Sequence, residues 1–197
     1  MNATDATLPD VCSIAFKEWE GVCRALARGR QSLILRKGGI DEGPAGFAPE
    51  HSTFWLYPTE VHQAAQGLKP EVAEPSAPLD IRSGMIPIDT MAVVEWIERV
   101  ESLESLSALD RFHVWTRETI EKRFYYRTPG LWILGVRIYC LREPVPIEIR
   151  AEHAGCKTWV PLDHALEKSS LTPVLDDSAF RAEVAAIRAA LSSARFR

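Results

Sequence analysis

The run LWILGVRIYCL, residues 131–141, restricts the fold of this chain more than any other stretch. It is long, rich in branched and aromatic side chains, carries Arg137 in its middle and ends against the prolines of REPVP, so it reads as a β-strand. A strand of that kind needs partners, and SLILR (32–36), STFWLYP (52–58) and RFHVW (111–115) have the same chemistry. The segment MIPIDTMAVVEWIERV (85–100) mixes two signals. Val93, Val94 and Ile97 favour a strand, Met91, Val94 and Ile97 at three-residue spacing favour a helix, and the strand reading is preferred.

Helical periodicity fills much of the remainder. Ala15, Trp19, Val22, Cys23 and Leu26 predict an amphipathic helix over Val11–Arg28, stopped by Gly29. Thr59 can cap a short helix over 60–69, Thr116 can cap RETIEKRF, and SLESLSALD and DHALEK also read as helices. A last helix begins at Asp176 or Asp177 and places Phe180, Val184, Ile187 and Leu191 on one face. Helices and strands are interspersed without regular βα alternation, which predicts an α+β fold with a mixed, strongly curved sheet flanked by helices. The 197 residues fit one domain, 1–197, in which PEVAEPSAPLDIRSG (70–84) is the expected exposed, flexible segment.

Charge narrows the classes of partner. A net charge of -4 and a pI near 5.8 argue against a whole-surface nucleic-acid binder and against a polybasic membrane anchor. Yet between Gly21 and Ile40 the only charges are Arg24, Arg28, Arg30, Arg36 and Lys37, so a local basic face is open to the chain. The start MNATDATLPD has neither a basic n-region nor an apolar core, and no apolar run approaches a bilayer span; the expectation is a cytoplasmic protein with no membrane contact. Cys12, Cys23, Cys140 and Cys156 form no CxxC pair and read as reduced thiols.

The best anion site in the sequence is LRKGGIDE, residues 35–42. Gly38 and Gly39 just past a strand let the backbone approach a ligand, and their N–H groups with Arg36 and Lys37 could hold a phosphate. The alternative is a polar, strand-ending turn, and the P-loop spacing is absent. If the strands around this loop pair as a hairpin-like unit, His51, Tyr57, Glu60, His62 and Gln63 come within reach of the glycines. In GCKTW, Cys156 beside Lys157 could be a thiol of low pKa, although a buried cysteine with Trp159 in the core is the plainer reading. No D/E-x-K, GxSxG, GxGxxG, HExxH or EF-hand loop is present, so no metal or other cofactor is predicted.

Taken together, AFKEWEGVCRALARGRQSLILRKGGIDE, FWLYPTEVHQ, RFHVWTRETIEKRF, VRIYCLREPVPI and GCKTWVPL resemble the family called domain of unknown function 1802, over Ile14 to Leu162. Some members are fused to or found with an Mrr-like restriction nuclease domain, so the resemblance implies work on or near DNA, here as a recognition or regulatory half that lacks the nuclease. A second likeness is one of element order. SLILRKGG, FWLYPTE leading into a helix, and TWVPLDHALE before a last helix are arranged as in Nudix hydrolases, but only Glu60 stands where their metal-binding helix carries its carboxylates.

The leading expectation is a recognition or accessory module, related to restriction systems, that binds nucleic acid, with DNA among the expected partners, or a phosphorylated ligand through Arg36, Lys37, Gly38, Gly39, Tyr57, His62, Gln63 and Lys157. A restriction-system protein is the expected protein partner. The rivals are a divergent metal-dependent phosphoanhydride or phosphodiester hydrolase using Glu42, Glu60, His51 and His62, and a protein-interaction subunit whose tryptophans face a partner. The weight falls against an enzyme.

Overall fold

The computed structural model describes residues 8–37, 50–59, 67–70, 83–155, 157–167 and 170–195. The chain runs β1 (Val11–Trp19), α1 (Glu20–Ala27), β2 (Leu33–Arg36), β3 (Thr53–Thr59), β4 (Met85–Val100), α2 (Leu103–Ser107), α3 (Arg117–Tyr125), β5 (Leu131–Glu148), β6 (Trp159–Glu167), β7 (Thr172–Pro173) and α4 (Asp177–Arg195). Among the described residues no helix is long and apolar enough to cross a membrane.

The strands form one mixed sheet in the order β2-β5-β4-β3-β1-β6, with β7 also on β5. Among the described residues only β1 and β3 pair in parallel, from Ala15↔Trp55 to Trp19↔Thr59; the other ladders are antiparallel. The expected α+β fold with a curved mixed sheet is what forms. Its spine is the long β4–β5 hairpin, paired from Met85↔Glu148 to Val100↔Leu131 and interrupted by irregularities between Ile88 and Thr90 and between Val94 and Trp96. Such interruptions increase twist and bend a sheet. The bend carries the two ends of the strand order towards each other, since Arg36 of β2 donates Nη2 to Thr158 Oγ1 at 2.8 Å, immediately before β6.

Five local expectations are corrected. The segment 11–28 is a strand followed by a short helix, because β1 lies inside the sheet with both faces covered. Phe16 and Trp19 enter one core with Leu33, Leu35, Trp115 and Ile133, while Cys12 and Ala15 enter a second with Trp55, Met91 and Val160. β5 does not stop at REPVP; it continues to Glu148 with Pro146 opposite Pro87, and two residues that lack an N–H suit a non-hydrogen-bonded pair. In place of the helix expected through DHALEK, residues 163–167 are part of β6, whose Val160, Leu162 and Leu166 are buried. RFHVW is a 3₁₀ turn at Asp110–Phe112 followed by a single bridge between Trp115 and Leu68. Finally, β2 and β3 do not pair: β2 lies on β5, and β3 between β4 and β1.

Other local signals act as read. Gly29 has a φ of +67° just past α1, a conformation that favours glycine. Thr116 caps α3 by accepting from the Thr119 N–H, and Asp176 Oδ1 accepts from the N–H groups of Ser178 and Ala179 at 2.8 Å. Phe180, Ile187 and Leu191 of α4 are buried, and α4 packs against α2. Cys12, Cys23 and Cys140 are free thiols whose pKa values burial raises. Of the helix expected over 60–69, residues 60–66 lie outside the described residues, as do most of 70–84 and Cys156, while 67–69 are not helical, since Leu68 bridges Trp115.

His113 is 4% exposed, and burial together with nearby Lys69 lowers its pKa to about 4. The fold therefore keeps the imidazole neutral while an unfolded chain takes up a proton near pH 6.5. Stability is full above that value and is lost as pH falls towards 4, by on the order of 2 kcal/mol at pH 4.5 for this one group. Urea unfolding at pH 7 and pH 4.5 should show that difference, and a His113→Phe variant should lack its share of it. An equal acid loss in both proteins would mean that carboxylates alone set the slope.

Candidate nucleic-acid interface

At the end of β2 the chain places Arg36 and Lys37 in adjacent positions with different surroundings. The Arg36 side chain is 24% exposed, lies 4.5 Å over the Phe16 ring and brings Nη1 to 4.0 Å from Glu18 Oε2. Glu18 is buried; its Oε1 accepts from the Trp19 N–H at 2.8 Å, and its Oε2 has no hydrogen-bond donor. Arg123, from α3, lies 4.3 Å over the Trp19 ring and 5.4 Å from that of Trp115. Burial lowers the pKa of both guanidiniums, and the Glu18 charge offsets part of this for each. Two cations thus share one buried carboxylate, leaving net positive charge where β1, β2 and α3 meet.

Lys37 turns the other way along the strand end. Its Nζ donates to the carbonyls of Phe124 at 2.7 Å, Gly130 at 3.0 Å and Thr128. An ammonium on the terminal carbonyls of a helix complements the negative end of its dipole. It also ties the segment 124–130 to β2. Burial and the neighbouring Arg99 lower the Lys37 pKa. Arg127 stands in this tied segment with a φ of +60°, its guanidinium 5.2 Å over the Tyr126 ring. Arg36 and Arg123 thus lie on one side of the end of β2 and Lys37 on the other, with Arg99, paired to Glu101 at 2.9 Å, beside Lys37.

The remaining sequence candidates fall elsewhere. Tyr57 is 5% exposed, packed 5.6 Å from the His153 ring, and burial raises its pKa. Lys157 is exposed and donates to the Glu152 carbonyl at 3.3 Å, one residue before the Thr158 that binds Arg36. Tyr57 and Lys157 thus both border the turn at Ala151–His153. His51 lies 5.0 Å from Trp159 with Nε2 3.9 Å from Glu50. Gly38, Gly39, Glu42, Glu60, His62 and Gln63 lie outside the described residues. Among the described residues no group of three or more His, Cys, Asp or Glu side chains converges as a metal site would require.

Sequence reasoning passed over four contributors. Glu18 and Arg123 were unremarkable charges in periodic segments, and no local spacing links them to Arg36. Tyr125 and Tyr126 did carry a signal, since KRFYYRTPG (122–130) has three cations and three aromatic residues with no acid. Their side chains are 60% and 59% exposed in the structure.

The family described as Domain of unknown function (DUF1802) matches the chain over residues 15–186. Among solved structures, the chain is similar to a serine-to-alanine mutant of ZmASCH from Zymomonas mobilis, at 16% identity and a TM-score of 0.48, covering 79% of this chain and 91% of that one. It is likewise similar to ASCH from Zymomonas mobilis, at 16% identity and a TM-score of 0.46, covering 76% and 86%. No curated protein matches it.

Proposed function

The chain belongs to the family described as domain of unknown function 1802, and from that premise we propose that it is a nucleic-acid recognition module acting through the cations at the end of β2. The observation that carries this reading is that the end of β2 has Arg36 and Arg123 over one buried carboxylate on one side and Lys37 with Arg99 beside it on the other, in a chain whose net charge is -4. Phosphate recognition needs positive charge and oriented donors, and guanidiniums fixed over ring faces supply both with little ordering left to do on binding. Glu18 holds Arg36 and Arg123 near each other despite their repulsion. Gly38 and Gly39 follow directly in sequence and would add backbone donors, Lys157, next to the Thr158 that Arg36 binds, would add positive charge, and His62 and Gln63 would add side-chain contacts, whereas buried Tyr57 supports the neighbouring turn. Service to a restriction system, a cytoplasmic location, and a single domain over 1–197 with a flexible segment at 70–84 complete the proposal.

Fluorescence anisotropy against labelled single-stranded, duplex and methylated-duplex DNA across a salt series tests it. Binding should weaken steeply with salt, with a log–log slope of about -2 to -4 if three to five phosphates are contacted. Arg127→Gly removes one cation from an exposed position whose left-handed backbone glycine adopts freely, and should flatten that slope by about one. Absence of binding at low salt would overturn the proposal. Displacement of the DNA by inorganic phosphate or nucleotides at low concentration would favour a small phosphorylated ligand at the same cations.

A further inference from the structure

We infer that the strand form recognised is single-stranded, with unpaired bases stacking on Tyr125 and Tyr126, an inference that rests on the nucleic-acid reading above and names its ligand more narrowly. These two rings are the exposed aromatic side chains of the described residues, 60% and 59% accessible, on the last residue of α3 and the residue that follows it. Two consecutive exposed rings offer flat apolar faces on which planar bases can stack.

Both rings are braced from behind. Tyr125 meets the ring of Phe124 edge-on at 5.0 Å and 89°, and Phe124 is itself anchored in the core at 4% exposure. Tyr126 has the Arg127 guanidinium 5.2 Å from its centroid. The backbone between them is fixed as well: the Tyr126 N–H donates to the Arg123 carbonyl at 3.3 Å, the Gly130 N–H donates to the Phe124 carbonyl at 3.2 Å, and Lys37 holds the carbonyls of Phe124, Thr128 and Gly130. Arg127 keeps a left-handed backbone that a non-glycine residue adopts only when its surroundings impose it. A platform built this way loses little conformational freedom when a base lies on it.

The surroundings decide which ligand the platform fits. Arg127 lies over the Tyr126 ring, Lys37 holds the carbonyls on either side of the pair, and no acid occurs in the sequence between Lys122 and Gly130. Alternating rings and cations match a strand whose phosphates and bases are both available. In a duplex the base faces are covered by their neighbours, so protruding tyrosines would find only backbone. An acidic peptide would satisfy the cations and leave the rings unused.

The test uses the full chain and a labelled oligodeoxythymidine of about twelve nucleotides, beside a duplex of the same length. Wild-type protein should bind the single strand roughly tenfold or more tightly than the duplex. Tyr125→Ala with Tyr126→Ala should weaken single-strand binding on the order of tenfold or more, leave duplex binding and the salt slope unchanged, and leave the thermal unfolding midpoint in place because both rings are exposed. Tyr125→Phe with Tyr126→Phe should retain single-strand binding, since the ring face and not the hydroxyl makes the contact. Equal affinity for both strand forms, or a single-strand affinity that the alanine pair leaves intact, overturns the stacking inference while the nucleic-acid reading stands. Failure to bind either form at low salt overturns both. Tyrosine-dependent binding of a polyglutamate peptide as tight as that of the oligonucleotide would reassign the platform to acidic protein partners and overturn the inference.

Discussion

Arg36→Ala is expected to destabilise the protein by on the order of 3 kcal/mol, because it removes the guanidinium nearest to a buried carboxylate. Glu18 is 2% exposed and its Oε2 has no hydrogen-bond donor, so the field of Arg36 at 4.0 Å is its main compensation besides Arg123. The substitution also uncovers the Phe16 ring and removes the 2.8 Å link to Thr158 that joins the two ends of the strand order. Urea unfolding of wild type, Arg36→Ala, Glu18→Gln and the double variant gives the coupling directly. The double variant should recover a good part of the loss, since a neutral amide needs no counter-charge. If Arg36→Ala unfolds at the wild-type midpoint, the carboxylate is compensated by Arg123 alone. Stability and binding are entangled at Arg36, which is why exposed Arg127 is the cleaner probe of charge.

Gly135→Ala is the second large effect. A Cβ at this position would stand 2.0 Å from Trp96 Nε1 and 2.1 Å from its Cε2, distances no packed side chain tolerates. Gly135 pairs with Trp96 beside the irregularity between Val94 and Trp96, so the indole lies across the glycine as a lid over the ladder. It would have to swing away, and Arg188 of α4 lies 5.4 Å from the same ring. Overpacking of this kind costs about 3 kcal/mol, and the thermal midpoint should fall by roughly 6–12 °C for a chain of this size. Adding Trp96→Ala to Gly135→Ala should restore part of the midpoint by removing the clash. An unchanged midpoint in the single variant would show that the indole repacks freely.

Legibility followed the range of the interactions. The strands at 33–36 and 85–100, the stop at Gly29 and the caps at Thr116 and Asp176 depend on a few neighbouring residues and were readable. β1 was not, because Ala15, Trp19, Val22 and Cys23 fall at helical spacing only by straddling a strand–helix junction, and burial on both faces erases the alternation of a strand. In β6, exposed Asp163, His164 and Ala165 between buried Leu162 and Leu166 imitate a helical face. The same distinction holds at the site. Arg36 and Lys37 stood out through their glycines, but their partners Glu18, Thr158 and the carbonyls at 124–130 come from distant segments. Tyr125 and Tyr126, by contrast, were a local signal that the end of the helical periodicity obscured.

The strand order has a consequence for how the chain reaches this state. β1, the first strand in sequence, is held between β3 and β6, and its ladder joins Val11 to Glu167; β2 likewise waits for β5, where Leu33 meets Gly135. Contacts that span most of the chain require loop closure before they return any stabilisation, which slows folding. The β4–β5 hairpin is the long local unit and is suited to form first. During synthesis the apolar N-terminal strand must remain without its outer neighbour until residue 167 has left the ribosome, so this protein's exposure to aggregation is greatest before it is complete.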